Sequence, residues 1–361
     1  MEWTPSKMLR RLVLMFFLFA IIGCDQQRQP DQYQWRLQSH ALETTLDYQE
    51  LLLFTERVAK MSNGRLQITP HPGGPGALAS GPDIFTAVAE GDIEMGNGWP
   101  NWWSAQHPAW AVMNAGPFDF MNIDASMMFF FSGEGTKLAN ELSNSKGILW
   151  RPAWWPGMEF GLLSREPIRG LADMKGKRVR IGPGLPSEVL AEASGSFAIP
   201  LVPEEIRPAL SKGELDAVEW TTTGGAWDLQ LGHLSPFAIV PAIWQPSVLS
   251  DFLINQQAYN QLPPDLQTIL ETAIQAYTLT TTLHSKVKDI EALGLFRNNG
   301  TRLTQWSPED IERWRTASNT VLERYRNRDE FSARLIDSKR AFKATYDDYY
   351  QVFGPYDKTA P

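Results

Sequence analysis

Apolar residues recur along this chain at two alternating periods, and the switches between them predict its elements. From Tyr33 to Ala41 the period is two, with Trp35 and Leu37 on one face, which predicts a strand. From Thr44 to Met61 the period becomes helical, with Leu46, Leu51, Leu53, Phe54, Val58 and Met61 at helix spacings before the stop Ser62-Asn63-Gly64. Arg65–Thr69 alternates again. Strand, helix and strand at this spacing form a βαβ unit and favour a parallel sheet with covered faces. Further on, a helix is predicted over Pro82–Glu90 and a strand over Asp92–Gly96, opening onto an aromatic loop with Trp99, Trp102 and Trp103. Helix follows over Phe118–Asn122 and Ala125–Leu142, then a strand over Gly147–Trp150.

A second alternating set begins near Gly157. Gly157–Ser164 reads as a strand, Lys175–Ile181 as a turn running into a strand, and Pro186–Ala193 as a helix. Ser194–Val202 crosses to a strand, Glu204–Lys212 is a helix closed by Gly213, and Leu215–Trp220 is a short strand. Two lobes of similar build are implied. After Leu249 the pattern turns largely helical, with start signals at Pro263-Pro264 and at Ser307-Pro308. The longest helical run, Asp265–Leu293, spans about 29 residues or roughly 43 Å, enough to brace both lobes.

The 361 residues are 43% hydrophobic and 20% charged, which suits a folded chain with a large core. Lys plus Arg number 33 against 41 Asp plus Glu, a formal charge of -8, and no long block of like charge occurs. Nucleic acid is therefore not the expected partner. The Gly-rich stretch His71–Gly81 lacks the spacing of a phosphate or dinucleotide fingerprint, so no nucleotide cofactor is implied. The five histidines are scattered without a metal-ligand motif, GxSxG is absent, and there is one cysteine, Cys24.

That cysteine closes a segment with its own logic. Lys7, Arg10 and Arg11 precede the eleven apolar residues Leu12–Ile22, a run too short for the roughly 20 needed to span a bilayer. This reads as an export signal. Ile21-Ile22-Gly23-Cys24 resembles the bacterial lipobox, which implies lipidation at Cys24 after cleavage, and Asp25 resembles an inner-membrane retention signal. The polar stretch Asp25–Tyr33 would be a flexible leader, placing the fold in the periplasm.

In order and spacing, the segments 51-LLLFTERVAKMSNGRLQI-68, 113-MNAGPFDF-120, 175-KGKRVRIGPGLPSEVL-190, 209-ALSKGELDAVEW-220 and 262-LPPDLQTILETA-273 resemble a known family. It is the substrate-binding subunit (DctP) of tripartite ATP-independent periplasmic (TRAP) transporters, and the likeness is greatest to members that bind 2-oxo acids and other monocarboxylates. The resemblance implies an α/β, two-lobed periplasmic binding protein of type II-like fold, with lobes joined by hinge strands and a bracing helix. Its expected division is a signal over 1–24, a leader over 25–33, lobe I over 34–156 with 246–285 returning, and lobe II over 157–245. Part of 286–361 would pack on both lobes. The expected activity is solute binding, without catalysis, and delivery of a small organic acid to the small and large subunits of a membrane permease.

The resemblance also assigns site residues. Arg180 stands where the family grips the ligand carboxylate, and a guanidinium matches a carboxylate through two parallel N–H donors. Arg178 shares its strand face, so the choice of Arg180 rests on the resemblance. Glu219-Trp220 aligns with a Glu-Trp pair that holds a metal ion through the acid and its neighbour's backbone. Glu159 stands where Gln is usual and Gln245 where several members have Glu, so Na⁺ or Ca²⁺ held by Glu219, Trp220, Gln245 and Glu159 is expected. Two acids facing one arginine leave a net charge of -1: a metal balances it, or the ligand carries a positive group, or Glu159 is protonated or turned away. Thr222, in the run Thr221–Gly225, offers a hydroxyl near the cleft. Trp102, Trp103, Trp220 and Trp244 supply flat walls for an organic acid, with Trp99, Trp154 and Trp155 among the same loop and strand-end tryptophans. Rival readings are an ABC-type binding protein, an anchored sensory lipoprotein for an amino-acid-like or neutral ligand, and a hydrolase using Glu159 and Glu219. A monomer and a homodimer are both compatible with the chain.

Overall fold

Alternation at Tyr33 and helical spacing from Leu46 produce the βαβ unit that opens the fold. The structure, a computed structural model, describes residues 31–354 except 115; the export-signal segment and Cys24 lie outside the described residues. Eleven strands are described: β1 (Tyr33–Ser39), β2 (Leu66–His71), β3 (Met95–Gly98), β4 (Ile148–Gly157), β5 (Leu162–Ser164), β6 (Arg178–Arg180), β7 (Phe197–Ile199), β8 (Ala217–Val218), β9 (Phe237–Val240), β10 (Val248–Asn255) and β11 (Arg302–Gln305). They form two sheets, β2-β1-β3-β10-β4 and β11-β9-β5-β8-β6-β7, one in each lobe of a type II periplasmic binding fold.

In the first sheet β1 pairs in parallel with β2 and β3. The helix Leu46–Met61 covers this sheet through Leu51, Phe54 and Val58, all buried. Helix Asp83–Glu90 lies so close over β3 that a Cβ on Gly96 would meet Ile84 Cγ2 at 2.6 Å, which explains the glycine there. The parallel pairing expected of the βαβ unit is present, but neither sheet is parallel throughout. Strand β10 runs antiparallel to β3 and β4, and β5 runs antiparallel to β8 and β9. These strands enter from the other lobe, and so run against their new neighbours.

Three segments connect the lobes. Residues 158–161 lead from β4 into β5, residues 241–247 lead from β9 into β10, and the helix Pro264–Asn298 returns the chain to β11. The first two are tied together by Glu159 N–H donating to Gln245 O (3.2 Å) and Ala242 N–H donating to Glu159 O (3.2 Å). The helix is 35 residues long, beyond the sequence expectation, because Gly294 sits in open space and is tolerated within it at a cost of about 1 kcal/mol. Its first half bonds to lobe I: Arg151 pairs with Glu271 (2.7 Å) and Trp155 N–H donates to Thr282 Oγ1 (3.1 Å). Its second half bonds to lobe II: Gly224 N–H donates to Asp289 Oδ1 (2.9 Å) and Lys288 pairs with Asp228 (2.6 Å), while Asn299, just past the helix end, donates through Nδ2 to Gly232 O (2.8 Å).

Other boundaries differ for local reasons. Phe118–Asn122 is not helical, and the following helix is two, Ile123–Phe131 and Gly135–Asn144. A Cβ at Gly135 would meet Phe130 Cδ1 at 2.6 Å, so the chain turns there on glycine to let the two helices touch. The aromatic loop contains a 3₁₀ turn, Pro100–Ala105, and a short helix, Ala109–Met113. Ser307 caps Pro308–Arg328 by accepting from Asp310 N–H (3.1 Å), as its sequence signal predicts. The last helix, Glu330–Phe353, is capped by Asp329.

Candidate functional site

At the ends of β3, β6 and β8, and against both crossing segments, lies a small cavity between the lobes. Open α/β sheets commonly bind ligands beyond the carboxyl ends of their strands. It is lined by Arg180, Glu219, Trp220, Glu159, Gln245 and Trp102, six of the nine residues singled out in the sequence. Arg180 ends β6 and Glu219 follows β8, and Glu219 N–H donates to Arg180 O (2.8 Å), which fixes the two side by side.

The Arg180 guanidinium is buried and forms an ion pair with Glu219 Oε2 at 3.0 Å. It also donates to the Glu219 carbonyl (2.7 Å), and through Nε (3.1 Å) and Nη2 (2.9 Å) to the Leu201 carbonyl. Its face lies 4.8 Å from the Trp220 ring centroid. Four of its five N–H donors are thus spent on the protein. One Nη2 hydrogen remains for a ligand, and a two-pronged grip requires exchange of the Leu201 or Glu219 contact. Burial lowers the Arg180 pKa below its ordinary value, opposed by Glu219 and Glu159.

Glu159 is also buried. Burial, then repulsion from Glu219 and a hydrogen bond with it, raise its pKa well above the ordinary carboxyl value, so its neutral form is favoured. Neutral Glu159 leaves the Arg180–Glu219 pair balanced, and Glu159 is not turned away. The Gln245 amide stands between the acids, 3.2 Å from Glu219 Oε1 and 3.2 Å from Glu159 Oε2. With its nitrogen toward them it donates to both. With its oxygen toward them three side-chain oxygens converge, which is the donor set a hard cation takes. The residues therefore fit Na⁺ or Ca²⁺, although no cluster of three His, Cys, Asp or Glu groups exists among the described residues.

Three predicted residues lie elsewhere. Trp103 is fully buried and donates to Asp251 Oδ2 (2.8 Å), as a core residue under β3. Trp244 is fully buried too, stacked on Trp314 (4.9 Å) and edge-on to Trp306 (5.8 Å), so it ties the second crossing segment to the helix Pro308–Arg328. Thr222 lines a neighbouring compartment. Thr221, from the run expected near the cleft, lines the cavity, and so do Asn101, Asn114, Gly182 and Val248, to which sequence reasoning gave no role. Asn114 falls within the 113–120 segment that carries the family likeness, the one signal that could have singled it out. Thr221 has φ 39°, a strained conformation for a β-branched residue, and its carbonyl accepts from Phe160 N–H (2.9 Å).

Comparison with known proteins agrees with this geometry. The chain is 28% identical over 288 residues to the monocarboxylate 2-oxoacid-binding periplasmic protein of Nostoc sp., covering 80% of this chain and 78% of that protein. Among solved structures it resembles a TRAP transporter solute-binding protein of Bordetella bronchiseptica with calcium and picolinate (TM-score 0.84, 21% identity, 89% of this chain and 95% of that one). It equally resembles one of Pseudoalteromonas atlantica with sodium and pyruvate (TM-score 0.84, 23% identity, 89% and 97%). The profile of the family described as bacterial extracellular solute-binding protein, family 7 (DctP), matches residues 38–329. The chain belongs to that family of solute-binding proteins, and its place is the periplasm.

Proposed function

We propose that this protein receives a small organic acid in the inner cavity and hands it to a TRAP-type permease. The observation that carries the reading is the buried Arg180–Glu219 pair opening on a cavity enclosed by both lobes. In this reading Arg180 meets the ligand carboxylate through its remaining Nη2 hydrogen, with Trp220 and Trp102 as flat walls. Na⁺ or Ca²⁺ is held by Glu219, the Trp220 backbone, Gln245 and ionised Glu159, and would bridge protein and ligand oxygens; the ions and acids of the structural relatives support this. Lobe I comprises 34–156 and 246–285, and lobe II 157–245 with part of 286–361. The protein is tethered to the inner membrane through lipidated Cys24, a reading supported by the lipobox resemblance alone.

The test is thermal unfolding and tryptophan fluorescence of the purified protein with pyruvate, picolinate and neutral analogues, with and without Na⁺ or Ca²⁺. Ligands of the folded state raise the melting point with the logarithm of their excess over Kd. Saturable shifts with the acids, lost in Arg180→Gln and enhanced by one ion, are expected. Shifts with neutral or cationic compounds but none with acids would overturn the carboxylate reading.

A further inference from the structure

Beside the Arg180 cavity the cleft holds a second, outer compartment, and Trp99, Trp220 and Thr221 line both. Three of its other side chains, His40, Trp154 and Ser285, are 3%, 6% and 3% exposed. Both His40 ring nitrogens, the Trp154 indole N–H and the Ser285 hydroxyl have no hydrogen-bond partner among the described residues. Buried polar groups are nearly always paired, and an unpaired one is costly. Here unpaired groups arrive from three separate elements: the loop after β1, strand β4 and the long helix. The three residues that carry them all line one cavity.

Their chemistry defines a partner. The His40 ring sits against Trp99 (4.8 Å) and Trp102 (5.8 Å), and burial lowers its pKa, so it offers one donor and one acceptor. Asp47 Oδ2 is 3.6 Å from its Nε2, beyond hydrogen-bond reach. The Trp154 indole can only donate, and Ser285 does either. A matching group must accept hydrogen bonds and is free to donate one. The remaining charges limit it further, since Asp47, Asp228 and Asp289 line the compartment against the ammonium of Lys288, with Lys286 behind Asp289. Asp228 is paired with Lys288 (2.6 Å) and Asp289 with Lys286 (2.9 Å) and Gly224 N–H (2.9 Å), while Asp47 accepts only from Thr45 Oγ1 (2.5 Å) among these contacts and leaves one negative charge over. An excess of negative charge disfavours a second carboxylate.

We infer that the outer compartment is a second recognition subsite, taking a neutral hydroxyl or carbonyl at the far end of the ligand. The solute is then a monocarboxylate longer than a three-carbon acid and polar at both ends. This rests on the reading that the carboxylate lies at Arg180.

Calorimetric titration of the purified protein with pyruvate, 2-oxopentanoate, 5-hydroxy-2-oxopentanoate and 2-oxopentanedioate separates the two claims. The hydroxy acid should bind about tenfold more tightly than 2-oxopentanoate, the value of one well-made hydrogen bond. That ratio should fall toward one in His40→Leu and in Ser285→Ala, the second variant serving if the first fails to fold. Equal affinity for 2-oxopentanoate and its hydroxy form, a ratio unchanged in both variants, or preference for the dicarboxylate would overturn the subsite alone. Failure of all four acids to bind would overturn the Arg180 reading and the subsite with it.

Discussion

A carboxyl buried beside another carboxylate keeps its proton in the fold and releases it on unfolding. Glu159 is in that position, with a pKa raised first by burial and then by Glu219. The folded form therefore binds more protons than the unfolded chain, and its stability falls as pH rises above the ordinary carboxyl range. Glu159→Gln removes this penalty, so its melting point at pH 8 without added ions should exceed that of the natural protein. Stabilisation by Ca²⁺ should shrink in the same variant, a pair of results read in one thermal scan. Asp251 obeys the same rule away from the cleft. It is fully buried, its Oδ2 accepts from the indoles of Trp103 (2.8 Å) and Trp150 (2.7 Å), and its Oδ1 has no partner among the described residues. Burial pushes its pKa up to about 7 despite those two bonds. Between pH 4 and 7 the natural protein should lose roughly a few kcal/mol that Asp251→Asn retains, since an amide oxygen can still accept from both indoles. Urea unfolding at pH 5 and pH 8 checks this: a gap between the two proteins that fails to widen at pH 8 would refute it.

At the scale of elements, two helices hold the site from behind. Thr282 on the long helix accepts from the buried Trp155 N–H, so the isosteric Thr282→Val leaves that donor unpaired. A loss of about 1–3 kcal/mol is expected in urea unfolding. On the last helix, Lys339 pairs with Asp119 and donates to the carbonyls of Val112 (3.0 Å) and Asn114 (3.1 Å). Asn114 in turn donates to Asn101 Oδ1 (3.0 Å), and both reach the ligand cavity. Lys339→Met should destabilise by about 3–5 kcal/mol, the usual result of breaking a buried pair, and weaken acid binding through a residue that touches no ligand. These connections mark the limit of the sequence. The first βαβ unit, the cap at Ser307 and the meeting of Arg180, Glu159, Glu219, Gln245, Trp220 and Trp102 were legible, since local periodicity and motif order carry them. Trp103 and Trp244 were misread because a tryptophan at a strand end looks alike whether its ring turns to the cleft or to a core. Strands β9, β10 and β11 pair only with distant partners, and Asn101 with Asn114 only through folding, so neither leaves a local pattern.

For the whole molecule, burial of the site sets the route by which it fills. Arg180, Glu219, Glu159 and Gln245 are each 5% exposed or less, so the structure must open for a solute to reach them, and parting of the lobes is the expected way. Asn101 Nδ2 donates across the cleft to Pro183 O (2.8 Å), one of the contacts that parting must break. Small-angle scattering should give a larger radius of gyration without ligand than with saturating acid. Asn101→Ala should shift the free protein toward the larger value and lower its apparent affinity in proportion to the closed fraction lost. Equal radii in both states would mean that entry occurs by a local opening instead. Glu159 and Gln245 belong to the two connecting segments themselves, so the occupant of the cavity sits at the pivot of the lobes and not at their rims. An axle pinned at its bearing gains leverage: a shift of a bond length there is multiplied along each lobe, and the distant outer faces can report whether the pin is in place.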